Sequence, residues 1–95
     1  MQHRQGVTVG HSRGLHARVA AMVVHKAMEL IENHRVEIAL ATNDGRQVPA
    51  TSMPAILGLN IRPGERLVIV ARGGEAERAA GELAKTYTAR KGQRA

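Results

Sequence analysis

Apolar residues recur along this chain at two periods, and the switches between them mark its elements. Over residues 17–33, Ala20, Val24, Ala27 and Ile31 follow at spacings of four, three and four, which predicts a helix with one buried face. His25 and Lys26 fall off that stripe. Over 35–41 the period drops to two: Val36, Ile38 and Leu40 point one way, and Arg35, Glu37 and Ala39 the other. Val7-Thr8-Val9 alternates between Gly6 and Gly10 and predicts a short strand. Residues 67–71 are apolar throughout, as in a central strand. Residues 75–88 return to the helical period, with Ala76, Ala80, Leu83 and Tyr87 on one face.

Turn chemistry separates these runs. Asn43-Asp44-Gly45 predicts a tight hairpin of the kind that needs positive φ, so 46–50 is the returning strand. Pro49 cannot donate to a ladder, which puts that strand at an edge. Thr51-Ser52-Met53-Pro54 opens a second, short helix with Ser52 as N-cap, and Ile56, Leu57 and Leu59 are its apolar residues. Arg62-Pro63-Gly64 is a turn, and Gly73-Gly74 ends the last strand. Glu75 and Glu77 fall in the first turn of the last helix, where negative charge is favoured. The order β-α-β-β-α-β-α, with one hairpin that forces antiparallel pairing, predicts an α+β two-layer sandwich with the helices on one face of the sheet.

Composition narrows the class. The 95 residues suit one domain, and 43% apolar content supports a folded core. With no Phe or Trp and Tyr87 alone as an aromatic, that core must be aliphatic. The absence of Cys removes disulfide and thiolate chemistry. No apolar run reaches the roughly 20 residues of a membrane span, and no apolar secretory segment follows Met1, so a cytoplasmic protein without membrane insertion is expected. Lys and Arg outnumber Asp and Glu by 14 to 8, a net +6 that suits an acidic partner or a nucleic acid. Part of the excess lies in residues 90–95, expected to be a flexible basic tail.

The chemistry concentrates in Gly14-Leu15-His16-Ala17-Arg18. This order sets an imidazole where a loop becomes a helix. The first N–H groups of a helix have no partner inside it and carry roughly half a positive charge, so they favour an anion. The same field favours the neutral, nucleophilic ring over imidazolium. A phosphoryl group gained by His16 can be held by those N–H groups and by Arg18. The pattern points to a histidine that takes up a phosphoryl group and passes it on.

The motif and the order of elements resemble the HPr family, the histidine phosphocarrier proteins of the bacterial phosphotransferase system. Leu59-Asn60-Ile61-Arg62-Pro63-Gly64-Glu65 fits the same pattern, and the match covers nearly the whole chain. The resemblance implies an open-faced sandwich: a four-stranded antiparallel sheet in order 1-4-2-3, with three helices on one side. It implies that His16 accepts a phosphoryl group on Nδ1 from enzyme I, charged by phosphoenolpyruvate, and donates it to enzyme II components of the IIA type for sugar uptake. Arg18 is then the charge clamp, Ala17 and Arg18 supply N–H donors, and the Ser12 hydroxyl stands where it can help. Such a protein is a carrier with no turnover of its own and no cofactor, expected to be a monomer. The regulatory serine of the family falls at Ser52, which implies a protein kinase as a further partner. Arg18, Met53, Ile56 and Leu57 are expected on the surface that meets enzyme I, with some of the last three exposed as a contact patch, because so short a helix does not need three large apolar residues for the core alone.

Two positions depart from the family. Val19 stands where proline usually follows the active-site arginine, and Pro54 interrupts the apolar patch after Ser52. The first motivates an alternative, a regulatory paralogue that binds a transcription factor or kinase without transport phosphotransfer. A nucleic-acid module is disfavoured, because sheet-based readers of single strands stack bases on aromatic residues. His3, His11, His16, His25 and His34 show no helical metal spacing, and no metal is expected.

Overall fold

The polar segment before Val7 is strand. The computed structural model describes residues 2–10 and 17–88, the last two by backbone alone. In it β1 (Gln2–Thr8) lies antiparallel to β4 (Arg66–Gly73), in register from Gln2↔Arg72 to Thr8↔Arg66. The strand thus starts well before the predicted 7–9. Backbone pairing to β4 holds it, and its inward positions His3 and Gln5 are only half-buried. Gly6 does not end the strand as expected. A Cβ there would come within 2.4 Å of Arg66 Nη2, so the glycine leaves room for that guanidinium to cross β1.

The remaining elements follow the predicted order: α1 (Ala17–His34), β2 (Val36–Ala41), β3 (Gln47–Pro49), α2 (Met53–Leu57), β4 and α3 (Ala76–Thr88). The sheet order is β1-β4-β2-β3, antiparallel throughout, so the apolar β4 is central and the Pro49 strand is an edge. At the hairpin only Gly45 takes positive φ, at 96°, closing a turn in which its N–H bonds Thr42 O at 3.1 Å.

Period two sends Val7, Val36, Ile38, Leu40, Leu67, Ile69 and Ala71 to one face, where they share a core with the helices. α3 buries Ala76, Ala79, Ala80 and Leu83 there; the side chain of Tyr87 lies outside the described residues. On α1 the buried residues are Val19, Ala20, Val23, Ala27 and Leu30, whereas Val24 and Ile31 are only half-buried. The observed and predicted stripes share Ala20 and Ala27. Apolar side chains flank both, so spacing alone did not fix the axis of the buried face.

The junction between α1 and α3 is closed by backbone. α1 ends on Arg35 at φ 53°, and β4 ends on Gly73 at φ 109°. A Cβ on Gly73 would meet Arg35 O at 2.9 Å, and one on Gly74 would meet His34 O at 2.8 Å. Across the gap the His34 ring hydrogen-bonds the Glu75 carboxylate and holds that carboxyl below its usual range. Gly73→Ala is therefore expected to cost about 1–3 kcal/mol, since strain at positive φ adds to a clash with a carbonyl that cannot swing away. Gly81→Ala, in the interior of α3 with no neighbour within 4 Å of its Cβ, is expected to add about 0.5–1 kcal/mol. Urea unfolding of both variants checks the pair, and a Gly73→Ala variant as stable as wild type would refute the tight junction.

Candidate functional site

Residues 11–16 link two well-anchored points. On one side is Val9, with no solvent exposure; its N–H bonds Glu65 O at 3.0 Å, and its carbonyl accepts from Gly64 N–H at 2.9 Å. The partner turn is itself fixed. Gly64 takes φ 86°, Glu65 N–H bonds Arg62 O at 3.1 Å, and the Glu65 carboxylate accepts from Arg62 N–H at 2.8 Å. On the other side is the first turn of α1, pinned through Val19 and Ala20 in the core. Ser12 and His16 lie outside the described residues.

The first turn of α1 contains no acidic side chain, so nothing there offsets the positive end of the helix. Ala17 and Arg18 are exposed on it. Val19, in the family's proline position, is 2% exposed and packs in the core. A valine fixes this turn by burial, where proline would fix it by its locked φ. Met22, 44% exposed, stands four residues after Arg18 on the same side of α1 and extends the apolar surface away from the motif. Met22 was not singled out in the sequence, where only His25 and Lys26 were placed off the buried stripe.

Ser52 caps α2 as expected: its Oγ accepts from Ala55 N–H at 3.3 Å, with φ −110° and ψ 104°. Ser52→Ala should lower stability by about 1 kcal/mol, while Ser52→Asp, which keeps an acceptor, should melt near wild type. Thermal melts of the three proteins check this, and an Asp variant as weak as the Ala variant would contradict the cap. The expected patch beside Ser52 needs correction at Ile56. Its side chain has no exposure and lies among the largest fully buried residues, so it anchors α2 to the core and offers nothing to a partner. Met53 and Leu57 are half-buried and pack against that core from outside, and Leu59 is buried. Among the described residues no three His, Asp or Glu side chains are placed to hold a metal ion.

The comparison that decides the family runs along nearly the whole chain. A family model described as the PTS HPr component phosphorylation site matches residues 3–89. The chain belongs to the PTS HPr family. The phosphocarrier protein HPr of Streptomyces coelicolor is 40% identical over 79 residues, covering 83% of this chain and 81% of that protein. The phosphocarrier protein NPr of Klebsiella oxytoca is 33% identical over 73 residues, 77% of each chain. Among solved structures, the HPr of Bacillus anthracis superposes with a TM-score of 0.78 at 30% identity, over 90% of this chain and 96% of that one. The sheet order and the three helices described above are thus those of the HPr fold.

Proposed function

We propose that this HPr-family chain carries a phosphoryl group on His16 between proteins of the phosphotransferase system. The observation that supports this most is the family match through residues 3–89, which takes in Gly14-Leu15-His16-Ala17-Arg18 at the entry to α1. Phosphoryl transfer asks mainly for positioning and charge stabilisation. The lone pair of His16 Nδ1 attacks phosphorus on phosphorylated enzyme I. The donor's P–N bond breaks, and its electron pair stays with the donor. Arg18, the helix N–H groups and the Ser12 hydroxyl hold the phosphoryl oxygens. The group then leaves to an enzyme IIA-type acceptor by the same exchange, so the chain is a carrier and not a catalyst.

Arg18, Met22, Met53 and Leu57 form the proposed contact surface for enzyme I. The place of action is the cytoplasm, in line with the absence, among the described residues, of any helix long and apolar enough to cross a membrane. Val19 gave the regulatory-paralogue reading its motive, and its burial supplies a packing reason for the substitution instead. The test is incubation with phosphoenolpyruvate and purified enzyme I. An acid-labile phosphoryl group on this chain, passed on to a IIA protein, supports the proposal. No label with an enzyme I that charges a known HPr counts against it.

A further inference from the structure

We propose that the sheet face turned away from the helices is a second docking surface, one that takes an acidic protein segment with an apolar stripe. Period two fills the helix side with core residues and sends the alternate positions outward. On β1 and β4 these include Arg4, Arg66 and Arg72, all exposed. Between and beside them run aliphatic positions: Val68 on β4 and Ala39 across on β2 are half-buried and open to this side, while Val70 and Ala41, 4% and 5% exposed, form the floor beneath them. A shallow depression of about 360 Å³ opens here, lined by Ala39, Pro49 and Val70 with Glu37 and Arg72 at its rim.

The three arginines carry unspent charge. Among the described residues none of them makes an ion pair, although Glu37 stands opposite Arg72 in the register. Arg66 lies over Gly6 along the face, which a side chain at position 6 would prevent. Arg66 and Arg72 are six residues apart on one strand, about 20 Å, with Arg4 diagonal to Arg72. Arginine forks pair with carboxylates in bidentate fashion and are weakly hydrated, so they give up water more readily than lysine does.

Charge complementarity selects the occupant. A second copy would bring the same three arginines face to face, because a two-fold contact sets a patch against itself. The chain's own C-terminal residues carry Arg90, Lys91 and Arg94 and have the wrong sign. A single-stranded nucleic acid wants stacking aromatics, and this face has none, since the one aromatic residue, Tyr87, belongs to α3. A polypeptide with apolar residues between carboxylates satisfies both the strip and its rim. Four strands at about 4.8 Å spacing give a face of a few hundred Å², the size of a low-affinity, transient contact. α1 and α2 lie on the other side of the sheet, so an occupant here need not displace a phosphotransfer partner.

The test uses a labelled amphipathic helical peptide of Leu, Ala and Glu, with the same peptide carrying Lys for Glu and an oligo-dT strand as comparisons. Amide shifts on adding the acidic peptide should fall on residues of β1, β4 and β2 that face outward, and not on α1 or α2. The triple variant R4E/R66E/R72E should lose at least about tenfold in affinity, and binding should weaken with salt. It should melt near wild type and accept label from enzyme I unchanged, which separates this surface from the phosphocarrier reading. Shifts confined to α1 and α2, wild-type affinity in the triple variant, no binding at low salt, or tighter binding of oligo-dT to the same residues would each overturn the proposal.

Discussion

His16→Ala should take up no acid-labile phosphoryl group from phosphoenolpyruvate and enzyme I, while melting near wild type. The loss is expected to be complete because the imidazole is the nucleophile itself, and alanine has no atom on which a phosphoryl group can rest. The fold should survive because position 16 precedes the first residue of α1 and stands outside the apolar stripe; the helix is held by Val19, Ala20, Val23, Ala27 and Leu30. Arg18→Ala makes the informative partner. It keeps the acceptor, so the label should still appear, but about 10²-fold more slowly, as when one preorganised charge-stabilising group is removed from an active site. Time courses of labelling for the two variants, with a thermal melt beside each, separate an acceptor from a clamp. Label on His16→Ala at the wild-type rate would move the site to another residue.

The element order, the antiparallel sheet, the hairpin and the edge position of Pro49 were legible in the sequence because each rests on a local rule. Alternation, Asp-Gly and a missing N–H act over a few residues. What was not legible depends on partners distant in the chain. Residues 2–5 carry no strand signal of their own, and they become strand because β4 offers them a ladder. Gly6 read as a boundary, yet its missing side chain makes room for Arg66, sixty residues on. Gly73-Gly74 read only as the end of the last strand, and their use is to pass the carbonyls of His34 and Arg35.

For the site, the motif gave the chemistry of His16 and Arg18 from the order Gly-Leu-His-Ala-Arg. It did not show that Val19 is a core residue, since the predicted stripe began one residue later at Ala20. Nor could spacing on a five-residue helix tell which of Met53, Ile56 and Leu57 turns inward. The open sheet face was hidden for the same reason: alternation separates two faces, and only the packed structure says which one the helices cover.

Ile56→Ala is expected to cost about 2–5 kcal/mol, because a fully buried side chain is removed and the site around it cannot close completely. For a domain whose whole stability is about 5–15 kcal/mol this is a large share, and the melting point should fall by about 10 °C or more. Ile56 is the one buried residue of α2, so the cost falls on core packing and not on the side chains that this helix turns outward. Leu57→Ala should behave differently. That side chain is half-buried and outside the core proper, so the stability loss should be smaller, on the order of 1 kcal/mol. Its cost should appear instead in transfer from enzyme I, as the loss of an apolar contact worth about 1–2 kcal/mol, or roughly tenfold in kcat/KM. The two variants must be compared at a temperature where Ile56→Ala remains folded. There Ile56→Ala should label at close to the wild-type rate and Leu57→Ala should lag. If instead Leu57→Ala labels as fast as wild type and only melts earlier, α2 serves the core alone, and the surface that meets enzyme I must be built from α1 and the loop before it.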